Sequence, residues 1–132
     1  MKHDDVTLKF DSRFVGEMTS PTGTTKLGRQ DNGLRPYHLM FGALGSCFYA
    51  TFLSVADKMR LTFDDVDIKV SGTKRETPPT ILDYVKIEMT VYNPSDEKKM
   101  EKAAELGAKH CSIHETIEKV AKIDLVVTFE NR

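Results

Sequence analysis

Apolar and polar residues alternate near both ends of the chain and stop alternating in the middle. In "DDVTLKF", residues 4–10, Val6, Leu8 and Phe10 fall on one face, the period-two pattern of a half-buried strand. Asp11 and Ser12 can turn the chain, and residues 13–18 return as the second arm of a hairpin. Residues 19–34, "TSPTGTTKLGRQDNGL", are rich in Gly, Thr, Ser, Asn and Pro. They read as a loop carrying one short strand near residues 24–27. Pro36 then opens a helix, because proline suits the first helical turn. The helix runs to about Arg60, roughly 24 residues and about 36 Å. Residues 65–75 alternate again (Val66, Ile68, Val70), "ETPPT" breaks the chain at 76–80, and residues 81–92 alternate with Val85, Ile87, Met89 and Val91 on one face. A long hairpin of this kind needs a cover for its apolar face, and the long helix is the available one.

Residues 95–109 predict a second helix, with Met100, Ala103, Leu106 and Gly107 inward and Asp96 and Glu97 in the first turn, where acids favour the dipole. Ser112 and Glu115 have capping-box spacing, so a short third helix can start there. "IDLVVTF", residues 123–129, is a last strand. The order β-β-(β)-α-β-β-α-α-β segregates strands from helices, which argues α+β. With 132 residues, no repeat and no linker long enough to divide it, the chain reads as a single domain, 1–132.

Charge narrows the function. Nineteen basic and 20 acidic residues are well mixed, for a net charge of −1, whereas a nucleic-acid binder would show a basic bias or stripe. Leu39 to Ala56 carries no charge over 18 residues, the lower limit for a membrane span. Gly42, Gly45, Ser46, Thr51 and Ser54 interrupt it and no basic cluster flanks it. A helix apolar on every side is more simply a core helix, or one shared between subunits. The start "MKHDDVTLKF" has no apolar signal-peptide core, so a cytoplasmic location is expected.

The candidate chemistry lies in two thiols, Cys47 and Cys111, 64 residues apart. In a reducing compartment they are not a structural framework; they are inert small hydrophobes or a redox pair. Cys111 falls at the cap of the third helix, where free N–H groups lower a thiol pKa. Cys47 lies about three turns into its own helix, too far for that dipole to help. If it reacts, a cation must activate it: Arg29, Arg35 or His38. A metal site would need Cys111, His110 or His114 and Cys47 together, without CxxC or paired-His spacing to support it. No GxGxxG or P-loop occurs.

"P-x-x-L-x-x-x-A-L-G-S-C" from Pro36 to Cys47, followed by "C-S-I-H-E-T-I" from Cys111 to Ile117, resembles the OsmC family of osmotically inducible and organic hydroperoxide resistance proteins. The resemblance implies an OsmC-like α+β fold, with a long central apolar helix packed on antiparallel sheet and two chains intertwined as a homodimer. It also implies a thiol peroxidase acting on organic hydroperoxides, with Cys47 as peroxidatic and Cys111 as resolving cysteine. A dithiol such as a dihydrolipoyl group would be the reductant, and no metal or organic cofactor is implied. Arg29 lies in the loop region that supplies the family arginine. The family's Glu shortly after the helix proline has no counterpart here, where Tyr37 and His38 stand; a protonated His38 could substitute as donor to the thiolate. Met40, Phe41, Phe48 and Tyr49 could form an apolar substrate wall. The alternative is a non-enzymatic member binding a small apolar or electrophilic ligand at the dimer interface.

Overall fold

The computed structural model describes residues 1–132, in the order expected from the sequence: β1 (Thr7–Phe10), β2 (Val15–Ser20), β3 (Gly23–Gly28), α1 (Pro36–Lys58), β4 (Asp65–Lys74), β5 (Leu82–Tyr92), α2 (Glu97–His110), α3 (Ser112–Glu118) and β6 (Lys122–Glu130). The chain forms two compact units, Met1–Met40 and Phe41–Arg132.

In the N-terminal unit β1, β2 and β3 form an antiparallel sheet in chain order, with Leu8 opposite Met18 and Glu17 opposite Lys26. Gly28 ends β3 at φ +87°, a left-handed conformation that glycine adopts without a Cβ clash. The next residue returns to the sheet: the Arg29 backbone N–H donates to the Phe14 carbonyl at 2.8 Å. Every residue of β1 is exposed, and Val6, Leu8 and Phe10 remain 43–53% exposed despite their apolar character. Leu8, Phe10, Phe14, Leu27, Leu34, Pro36 and Leu39 line an apolar cavity of about 300 Å³.

The C-terminal unit is built on a sheet in the order β4-β5-β6. β4 and β5 are the expected hairpin, paired antiparallel from Asp65–Tyr92 to Lys74–Leu82 with an irregularity at Thr73/Lys74. β6 runs parallel to β5, Ile87 opposite Leu125, so this sheet is mixed rather than purely antiparallel. A parallel neighbour requires a long crossover, and α2 and α3 provide it. One face of β5 is buried through Leu82, Val85, Ile87, Met89 and Val91. The opposite face is polar: the Tyr92 hydroxyl donates to Asp67 at 2.7 Å and the Tyr84 hydroxyl to Asp124 at 2.9 Å.

α1 is long and apolar enough to cross a membrane by length and composition, yet Leu44, Phe48, Phe52 and Ala56 are fully buried. Their four-residue spacing marks one face turned into the protein core, the arrangement of a core helix. Gly42, Ser46, Ala50 and Leu53, on the other side of the helix, are exposed. α2 reaches α1 through Gly107, where an added Cβ would lie 2.9 Å from the Phe52 Cα and 3.0 Å from its nitrogen. Backbone cannot yield as a flexible side chain can, so Gly107→Ala is expected to destabilise the chain by about 1–3 kcal/mol. The midpoint of urea unfolding measures it; an unchanged midpoint would show that the two helices can separate freely.

Candidate functional site

Cys111 sits at a corner. It is the C-cap of α2, its backbone N–H donating to the Ala108 carbonyl at 3.3 Å. It is also the N-cap of α3, its sulfur accepting the His114 N–H at 3.4 Å. The sequence placed Ser112 as cap with Glu115 closing the box; the cap lies one residue earlier. Glu115 instead pairs with Lys119 at 2.5 Å, one turn on. An extended backbone at Cys111 (φ −78°, ψ 119°) between two helices turns its side chain inward, and the thiol is completely buried.

Cys47, half-buried on α1, meets this corner. Its sulfur lies close to the Cys111 sulfhydryl, the backbone N–H groups of Ile113 and Ser112, and the Ser112 hydroxyl, all of which favour its ionised form. Burial is the largest single influence and opposes ionisation. The donors together outweigh it, and the Cys47 pKa falls below that of an ordinary thiol. Cys111 moves the other way: burial pushes its pKa up, and donation to Cys47 and the nearby Cys47 charge push it further, against the lowering from the N–H groups of His114 and Ile113. The two thiols, free and close together, thus shift in opposite directions: Cys47 ionises more readily than an ordinary thiol and Cys111 less readily.

The sequence had assigned the activation of Cys47 to a cation, because the start of its own helix is too distant. The donors found at its sulfur are uncharged, and they come from the start of a different helix. Ser112 and Ile113 were missed for that reason. The only available signal was Cys111 at a helix start, which implied that free N–H groups would lie beside whatever touched it.

Arg29 and His38 belong to the N-terminal unit and are both exposed. The ring of His38 has a local role: its Nδ1 accepts the Arg35 backbone N–H at 3.0 Å. This is the reciprocal half of a capping box, with a histidine where Glu or Gln is usual. Of the expected apolar wall, Phe48 is fully buried in the core and Met40 is exposed. Phe41 and Tyr49, with Gly42, Gly45, Ser46, Ile68 and Val70, line a cavity of about 390 Å³. At about 100° per residue this lining lies on the side of α1 opposite Cys47, so Phe41 and Tyr49 do not wall the thiol. His114 is buried, its Nδ1 3.7 Å from Glu118 Oε2. No three His, Cys, Asp or Glu side chains converge as a metal site.

Residues 28–126 match the family described as OsmC-like protein. The chain belongs to the OsmC-like family. No curated protein matches its sequence. The whole OsmC-like fold is shared with a hypothetical protein from Aquifex aeolicus, at a TM-score of 0.89 and 22% identity, covering 100% of this chain and 99% of that one. An OsmC-like protein from Mycoplasma pneumoniae aligns at 0.85 and 20% identity, over 97% of both chains. An organic hydroperoxide resistance protein OsmC from Legionella pneumophila aligns at 0.76 and 14% identity, over 97% and 98%. At such identities the likeness to these OsmC-like structures shows the fold; the chemistry must be argued from the cysteine pair.

One expectation isolates the donor role of Cys111. Cys111→Ala removes a sulfhydryl donor from the Cys47 sulfur, so the thiolate should appear at higher pH than in the parent. Iodoacetamide alkylation of Cys47 against pH, or thiolate ultraviolet absorbance, measures the displacement. A profile that stays put would mean the backbone N–H groups and Ser112 carry the whole effect.

Proposed function

We propose that the chain works as a single-domain, two-cysteine thiol peroxidase that reduces organic hydroperoxides. The observation that carries this is the proximity of a lowered-pKa, partly accessible sulfur to a buried one whose pKa is raised. The Cys47 thiolate attacks the terminal oxygen of R–O–OH, the O–O bond breaks, and the departing alkoxide takes a proton to become the alcohol. Cys47 is left as sulfenic acid. Loss of the thiolate charge removes one influence that held the Cys111 pKa up, so Cys111 ionises more readily after oxidation than before. Its sulfur attacks the Cys47 sulfur, hydroxide leaves as water after protonation, and a disulfide forms. Two electrons have passed from two thiols to the peroxide. A dithiol, of the dihydrolipoyl type that the family resemblance implies, returns them by exchange.

The remaining parts of the proposal follow the same resemblance. The working unit is a homodimer, which would cover the exposed apolar residues of β1 and the exposed side of α1. A cytoplasmic setting would keep both thiols reduced. Arg29 is proposed to hold the peroxide or the thiolate charge, with His38 fixing the start of α1 beside it in sequence.

The decisive experiment adds one equivalent of cumene hydroperoxide to reduced protein and follows intact mass. Loss of two hydrogens in the parent, and gain of one oxygen in Cys111→Ser, are expected. A parent unchanged even by excess peroxide would overturn the proposal and leave the alternative, a non-enzymatic protein binding a small apolar or electrophilic ligand at the dimer interface.

A further inference from the structure

We propose that the Cys47–Cys111 pair is also a chelating site for monosubstituted trivalent arsenic, compounds of the type R–As(OH)₂. The inference goes beyond the peroxidase reading and does not depend on it. It requires two sulfhydryls held together, and no oxidation.

Three features of the site select this ligand. The two sulfurs are free and close together, so a ligand bound to one finds the second at high effective concentration. Thiolate sulfur is soft and prefers soft, thiophilic centres, and the more ionised sulfur, Cys47, is the half-buried one that solution can reach. The number of donors is two: no third His, Cys, Asp or Glu joins the pair. Structural zinc takes four ligands and is poorly served. Trivalent arsenic already carrying one carbon has two exchangeable positions, which equals the number of sulfurs.

The step balances without a redox partner. The Cys47 sulfur forms an As–S bond as one As–O bond breaks, and the Cys111 sulfur repeats the exchange at the second. The two hydroxides leave as water with the two thiol protons. Arsenic stays trivalent and neither sulfur changes oxidation state. The second bond falls on the fully buried sulfur, which is anchored at its helix corner by the His114 N–H. That bond is shielded from competing monothiols.

The test treats reduced protein with one equivalent of phenylarsine oxide, which hydrates to R–As(OH)₂, and then with excess glutathione. Intact mass should rise by one phenylarsenic group less two hydrogens, and both cysteines should resist iodoacetamide. The adduct should outlast those of Cys47→Ser and Cys111→Ser by about a hundredfold, and 2,3-dimercaptopropanol should remove it. Protein first oxidised with diamide, a control that does not depend on a variant folding, should take up none. Inorganic arsenite, which needs a third ligand, should be held at least about tenfold more weakly. The site is overturned if glutathione strips the parent as fast as the single-cysteine variants. Uptake by the oxidised protein, or equal retention of arsenite, would overturn it as well. A chain that holds phenylarsenic but ignores cumene hydroperoxide keeps this site and loses the peroxidase; the reverse result loses this site alone.

Discussion

Cys47→Ser is expected to reduce the rate of cumene hydroperoxide consumption by at least ~1000-fold, about 4 kcal/mol of transition-state stabilisation. A serine hydroxyl at the same place has the same donors around it but remains protonated at neutral pH, and its oxygen does not reduce a peroxide. Cys111→Ser should behave differently. Its first turnover should survive, because the attacking sulfur is intact, while later turnovers stall at the sulfenic acid for want of a second thiol. Stopped-flow consumption of peroxide under single-turnover and multiple-turnover conditions separates the two. If Cys111→Ser loses the first turnover as completely as Cys47→Ser, the assignment of nucleophile and resolving partner is wrong. The pH dependence has a definite sign. Because the Cys47 pKa is lowered, the single-turnover rate should reach its plateau at a pH below that of an ordinary thiol and fall as pH drops through the lowered value.

The second large effect is on stability. Oxidation would join residues 64 apart in sequence, and closing a loop of that size restricts the unfolded chain by about 4 kcal/mol. The native state should lose little in exchange, since the two thiols are already near neighbours. Oxidised protein is therefore expected to unfold at clearly higher urea concentration than reduced protein, with the gain abolished in either serine variant. An oxidised form that unfolds earlier than the reduced one would show that bonding distorts the corner at Cys111, and that α3 must move during each catalytic cycle.

Most of the architecture is legible in the sequence because periodicity is a local property. Val66, Ile68 and Val70 announce β4 through their alternation, and the uncharged stretch around Cys47 announces a core helix. What the sequence does not display is how distant segments meet. The parallel pairing of β6 on β5 leaves no mark in "IDLVVTF", which would read the same in an antiparallel edge. Phe41, Phe48 and Tyr49 all carry aromatic rings, yet their different positions around the helix, up to about 100° apart, leave Phe48 filling the core while the other two line a cavity away from the thiol. The pairing of Cys47 with Cys111 was accessible only through resemblance to a family. The donors that tune it were invisible for a physical reason: two of them are backbone N–H groups, which every residue but proline carries, and only their placement at Ser112 and Ile113 gives them a role.

The parallel placement of β6 has a consequence for biosynthesis. α3 packs against β6, and β6 is translated after every other element of the C-terminal sheet. While the ribosome is still making residues 122–130, α3 and the corner at Cys111 lack that packing. The nascent thiol should accordingly stay sluggish toward oxidants until the last strand emerges.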